Sequence, residues 1–429
     1  MQYIIRVPKR INLFVVLTLI VFLTPVIMQI TKNNYVKLIE DAAYLIMLLQ
    51  SVYIMLFHNR IIFEKSKTML LFVLLLLTFT VIGIYYNGIS LVILQFREFK
   101  YLLLLVIMIP YADKEYFKHV WTVLKIIAAI SIPVSVIQWF IYKNDGDRIT
   151  GLLGYGGSGT LTLFVLIIFF TELGMRLQNN KSILGYYILY LIPTALNETK
   201  ITLFLFPVLL LMTLILTKKL RSKQTIIIIV VVIVLFFAWA YSYERMYSRS
   251  AVDVFSSEFL ENYLYATHWV GDAGRIAKVI YAFNIIKDTN IFLGYGLGSS
   301  YIGGTSGLTG IISRTYYNRE MFGGTKPQLF LSLLDKGLLG TILIIAILIV
   351  YCIKVIRKKN ITLEALVSIN CFTIIFATLI YQNIFYTYQI MYIFALYTIL
   401  HLKQESNITQ IDDAVKTEKE STNEHFFKK

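Results

Sequence analysis

The chain has 429 residues, 57% of them hydrophobic and only 15% charged, with a mean hydropathy of +0.69. Soluble domains carry about one quarter charged residues, so the composition excludes an ordinary soluble protein and places the chain in the membrane class. The formal net charge of +15 does not indicate nucleic acid, because Lys and Arg sit in short connectors and no basic domain or nucleic-acid motif holds them.

MQYIIRVPKR followed by INLFVVLTLIVFLTPVIMQI has too long an apolar region for a signal peptide and no small-residue cleavage site. It reads as span 1, at about 11–30. Spans 2, 3 and 4 follow at about 38–57, 68–86 and 89–110, the last interrupted by QFREFKY. Span 5, about 119–142, ends at the polar loop KNDGDRITGLLGYGGSGT; spans 6 and 7 cover about 160–176 and 182–197. The turn NETK leads to span 8 at about 201–217, and span 9 covers about 224–243. After a long loop, 243–327, come span 10 at about 328–353 and spans 11 and 12 at about 363–381 and 384–401.

The expected fold is therefore all-α, a polytopic membrane domain over 1–402 with about twelve transmembrane helices. The polar tail 403–429 reads as a disordered cytoplasmic end. The charge bias tests the parity. With both termini cytoplasmic, inner connectors hold groups such as Arg60/Lys65/Lys67, Lys218/Lys219/Arg221/Lys223 and Lys354/Arg357/Lys358/Lys359. The short outer connectors hold only Lys32, Lys37, Lys143, Arg148 and Lys200. That assignment puts 143–160, NETK and 243–327 on the extracytoplasmic face. No internal repeat of the kind common in secondary transporters is visible.

Within the long loop, AGRIAKVIYAFNIIKD spaces Ile276, Val279, Ile280, Phe283 and Ile286 as one apolar helix face. That spacing predicts a helix at the membrane surface or across the mouth of the bundle, and the aromatic segment before it is a second, weaker interfacial helix. The stretch GYGLGSSYIGGTSG lacks the Lys-Ser/Thr of a P-loop and reads as a flexible re-entry segment beside a site. Cys352 and Cys371 show neither metal-ligand spacing nor a disulfide framework.

Charge in or beside a span needs a partner, a cavity or an interface. Arg97, Glu98 and Lys100 interrupt span 4 together. Either Glu98 pairs with one of these cations at a helix interface, or Arg97 faces a hydrophilic cavity and binds an anion. Glu198 and Lys200 either cap helix ends or face a central cavity, and Arg148 is either a solvated loop residue or an anion ligand. An imidazole titrates near neutral pH, which makes His268 a candidate base, but beside Trp269 it reads better as a surface histidine; Asp272 and Glu258 are weaker candidates.

Four segments together resemble a known pattern. GRIAKVIYAFNIIKDTNIFLGYGLGSSY has an arginine opening a helix that ends in an acidic residue and runs into a glycine segment. KPQLFLSLLDKGLLGTILIIAIL resembles that pattern's re-entry segment, DRITGLLGYGGSGTL its outer loop, and LNETKITLFLFPVLLL its basic turn before a span. In their order and shared face they resemble the O-antigen ligase/polymerase superfamily (the Wzy/WaaL type). The resemblance implies a GT-C-like helical fold and a metal-independent glycosyltransferase with no cofactor. It also implies undecaprenyl-diphosphate-linked glycan as donor and acceptor, at the outer face of the cytoplasmic membrane, with a flippase and a chain-length regulator as partners. By position, Lys200 and Arg275 become catalytic diphosphate clamps, with Glu198 as base and Asp272 behind it. Arg97, Arg148, Asp272 and Lys326 become substrate-binding residues. Two positions depart from the pattern: Lys200 stands where the family carries arginine, and Lys326 where a ligase carries histidine. The missing histidine favours a repeat-unit polymerase of capsule, exopolysaccharide or O-antigen over a ligase acting on lipid A core. A transporter or flippase for a lipid-linked glycan is the alternative from another class.

Overall fold

The computed structural model describes residues 13–57, 67–107, 114–142, 145–154, 157–181, 185–197, 200–218, 256–267, 273–288, 290–302, 308–357 and 361–401, with scattered helical residues between 226 and 245. The tail, most of predicted span 9, and Glu198, His268 and Asp272 lie outside the described residues.

Helix dominates, and an isolated bridge between Ile302 and Thr309 is the only extended pairing among the described residues. In chain order the helices are α1 Leu13–Thr31, α2 Lys37–Phe57, α3 Lys67–Asn87, α4 Ile89–Phe96, α5 Lys100–Ile107, α6 Lys114–Ile141, α7 Ser158–Gln178, α8 Ile192–Leu196 and α9 Thr202–Leu216. They continue with α10 Ser257–Tyr265, α11 Arg275–Lys287, α12 Ile311–Thr315, α13 Arg319–Phe322, α14 Gln328–Ile356, α15 Leu363–Thr378 and α16 over 388–401. Three of them contain stretches long and apolar enough to cross a membrane: Lys118–Ile141, Ser158–Gln178 and Gln328–Ile356. Shorter apolar helices accompany them at Val15–Thr31, Leu71–Asn87, Tyr186–Leu196, Thr202–Leu216 and Leu363–Thr378.

The bundle is built round α7, which is apolar on every side and buried along nearly its whole length. Gly174 lets α7 approach closely, since a Cβ there would lie 2.9 Å from Leu366 on α15. Polar side chains along this axis pair with one another: the Asn370 amide donates to Thr171 at 3.2 Å, and Thr18 and Tyr392 share a bond of 2.8 Å. Such pairing is required where no water reaches.

Two helices are broken, and their breaks face each other. A 3-10 turn, Arg97–Phe99, separates α4 from α5. In α14 the helix breaks at Gly337, whose φ of 63° strains any residue with a Cβ. The glycine segment fills this break. The Leu338 and Leu339 N–H groups donate to the carbonyls of Ile291 and Phe292, and the Tyr295 N–H donates to the carbonyl of Leu334. Gly296 lies so close to α3 that a Cβ would sit 2.1 Å from the Gly83 nitrogen. The described part of the segment expected to be flexible, 294–302, is packed between α3 and α14, because the backbone groups freed by the kink need partners; 303–307 lie outside the described residues.

Between the breaks lies a buried polar cluster. Lys336 and Glu98 are fully buried and 3.4 Å apart. The Gln95 amide bridges Glu98 and Asp335 at 2.9 and 3.2 Å, and Asp335 accepts from Ser299 Oγ, Ser300 N–H and Ser300 Oγ at 2.7–3.0 Å.

Candidate functional site

Each wall of the site comes from a connector whose conformation is fixed locally. After α6 the chain turns back and is held by Gln138, whose Oε1 accepts from the Thr150 and Gly151 N–H groups at 2.9 and 2.8 Å. This fold presents the 3-10 turn Gly146–Arg148, in which Arg148 Nε lies 2.8 Å from Asp145. The turn before α9 is anchored by Asn197, which donates to the Ser158 carbonyl at 3.2 Å and to Thr162 at 2.7 Å. That anchor brings Lys200 beside the N-terminal end of α7.

Arg275 opens α11. Gly274 before it admits no side chain, because a Cβ would lie 2.5 Å from the Leu264 carbonyl group. Arg275 Nη1 donates to the Thr325 carbonyl at 2.5 Å. One turn on, fully buried Lys278 donates to the carbonyls of Gly323 and Thr325 at 2.7 and 3.2 Å. Arg275 and Lys278 thus clamp the strap that delivers Lys326. The strap enters α14 through Pro327, and the first N–H groups of that helix donate to the carbonyls of Gln382 and Leu379 at 3.0 and 3.1 Å.

These walls enclose a cleft of about 790 Å³ whose lining includes Asp145, Asp147, Arg148, Ser158, Lys200, Tyr263, Arg275, Lys326, Tyr381 and Asn383. Four of the sequence-predicted residues, Arg148, Lys200, Arg275 and Lys326, therefore meet in one place. They come from the connectors 143–160, NETK and 243–327, which the charge bias assigns to a single face. Four cations face two carboxylates there, so the cleft favours an anion. Among the described residues no three His, Cys, Asp or Glu side chains gather as metal ligands.

Arg97 is not part of this cleft. It pairs with Asp41 at 2.6 Å, while Lys100 lies 2.5 Å from Glu40 and 3.2 Å from Asp41, and Tyr101 donates to Glu40. The anion-binding reading of Arg97 gives way to an internal ion pair, formed because α2, which packs against α5, brings Glu40 and Asp41 to it. Glu98 pairs with neither neighbouring cation but with Lys336 on α14. Helix α11 forms where expected; of its apolar stripe Ile286 is buried, Ile276 and Val279 are half-buried, and Ile280 and Phe283 are exposed, while Ala277, Lys278, Ala282 and Ile285 are buried beside it.

Sequence reasoning missed Asp145, Asp147, Tyr263, Tyr381 and Asn383 as lining residues, and Lys278 as an anchor. The acidic pair was visible as DGD beside Arg148. The polar triplet Tyr381–Asn383, at a connector between two apolar runs, was an available signal as well.

Burial lowers the pKa of Lys326 below the ordinary lysine value; nearby Lys278 lowers it further and Asp335 partly opposes this. A lysine with a lowered pKa is charged below that value and loses its charge as pH rises through it. The wild-type advantage over Lys326→Met in binding inorganic pyrophosphate should therefore shrink with rising pH, and at a lower pH than for an ordinary lysine. Calorimetric titrations of both proteins across the alkaline range measure it.

No family model, curated protein or solved structure matches the chain.

Proposed function

We propose that this chain is a membrane glycosyltransferase that polymerises undecaprenyl-diphosphate-linked repeat units into a surface polysaccharide. The observation that carries the reading is the convergence of Arg148, Lys200, Arg275 and Lys326 on one cleft. A leaving diphosphate concentrates negative charge, and fixed cations stabilise it more strongly as it departs than in the bound substrate. In this reading the chain has about twelve spans in a GT-C-like arrangement, lies in the cytoplasmic membrane with both termini inside, and opens the cleft outward. Lys200 and Arg275 clamp the diphosphate, and Arg148 and Lys326 complete the cationic set. Glu198 is the first choice of base for the acceptor hydroxyl, and Asp272 the second. The carboxylates of Asp145 and Asp147 line the same cleft and join them as candidates.

The acceptor hydroxyl of one lipid-linked unit attacks the anomeric carbon of the other. The bond to the diphosphate oxygen breaks, its electron pair leaves with the undecaprenyl diphosphate, and the hydroxyl proton passes to the base. Lys326 at the re-entry segment, in place of a ligase's histidine, favours polymerase over ligase. Gathering of the cations at connectors rather than at mid-span favours surface chemistry over transport. Removing the chain from its host tests the three readings together. The polymerase reading expects single repeats to accumulate on the lipid carrier at the outer face. A ligase would leave long chains on the carrier, and a flippase would leave single repeats inside.

A further inference from the structure

Helix α10 has no buried residue, yet one of its rings, Tyr263, lines the cleft, and a second, Phe259, packs against it. Phe259 and Tyr263 stack with centroids 5.8 Å apart and planes 10° apart, and Tyr263 lies 6.5 Å from Tyr381. Lys200 Nζ sits 5.2 Å from the Phe259 centroid and 5.8 Å from that of Tyr263. The Arg275 guanidinium sits 5.7 Å from Tyr263 and 5.9 Å from Tyr381. Of these three rings, Tyr263 touches both cations, Phe259 touches Lys200, and Tyr381 touches Arg275.

Two cations brought to one site repel each other, and something must hold them there. A carboxylate between them would do so by cancelling the charge an anionic ligand needs. An aromatic ring attracts a cation through its quadrupole and adds no formal charge. We propose that Tyr263, flanked by Phe259 and Tyr381, is a positioning residue that holds Lys200 and Arg275 together at the cleft for one diphosphate. The inference rests on reading the cleft as a diphosphate site. It adds a role for α10: the helix carries the bracket that organises the cationic pair before the anion arrives, so that little of the binding energy is spent on ordering long side chains.

The test is calorimetric binding of inorganic pyrophosphate to the full chain in lipid nanodiscs, with thermal unfolding recorded for each variant. Tyr263→Leu removes the ring from both cations and is expected to weaken binding about tenfold. Tyr263→Phe keeps the ring and loses only the hydroxyl, which hydrogen-bonds with Tyr381. It is expected to restore affinity to within about twofold of wild type. Phe259→Leu, which touches only Lys200, is expected to cost about threefold and serves as the comparison if Tyr263→Leu unfolds early. Wild-type affinity in the leucine variants overturns the bracket and leaves the diphosphate reading standing. Tyr263→Phe binding as weakly as Tyr263→Leu also overturns it, since the hydroxyl and not the ring would then matter. Failure of the wild type to bind pyrophosphate overturns both.

Discussion

Arg275→Ala is expected to abolish long-chain glycan while leaving lipid-linked single repeats intact, and Lys200→Ala is expected to do the same. In the proposed reaction each side chain supplies charge at the position where the departing diphosphate gains it. Losing one preorganised donor at such a site costs about 100- to 1,000-fold in rate. A chain polymer amplifies that loss, because every added unit repeats the slowed step. Arg275→Lys keeps the charge without the planar fork and should recover part of the length distribution. Arg275 also donates to the Thr325 carbonyl, so each variant must be compared at matched protein level and thermal midpoint. A glycan ladder gel is the measurement. Normal chain lengths in both alanine variants, at normal protein level, would remove these residues from the reaction.

The second large effect is on stability and lies away from the cleft. Lys336→Met leaves Glu98 and Asp335 in the core without the cation, and Glu98 has no surface to turn to. Breaking a buried pair by removing one partner costs about 3–5 kcal/mol, chiefly because the remaining charge stays desolvated. The variant should unfold well below wild type in detergent, and the double variant Lys336→Met/Glu98→Gln should regain part of the loss. A double-mutant cycle separates this coupling from the packing change. Equal midpoints for Lys336→Met and wild type would show that the lysine does not offset the carboxylates.

Helix positions were legible because they depend on local apolar length. The expected span at about 68–86 is the helix Lys67–Asn87, and that at about 11–30 overlaps Leu13–Thr31. The four cleft cations were legible too, since charged residues in connectors between apolar helices have few places to go. What failed depended on partners distant in sequence. Nothing local to Arg97 or Lys100 reveals that Glu40 and Asp41 neutralise them, and nothing local to Glu98 reveals Lys336. The spacing in α11 located the helix and its apolar stripe but not its inner side, which buried Lys278 marks. The packing of 294–302 depends on the break at Gly337, which periodicity does not announce.

The reaction proposed for the cationic cleft is transfer of glycan from one lipid diphosphate to another. Its most direct measurement is incubation of the purified chain in nanodiscs with an undecaprenyl-diphosphate-linked repeat unit, followed by separation of the products by length. The account predicts a ladder of lipid-linked oligomers with release of undecaprenyl diphosphate, lost in Arg275→Ala and Lys200→Ala. A substrate returned unextended by folded wild-type protein, with repeat units from its own host, would contradict it.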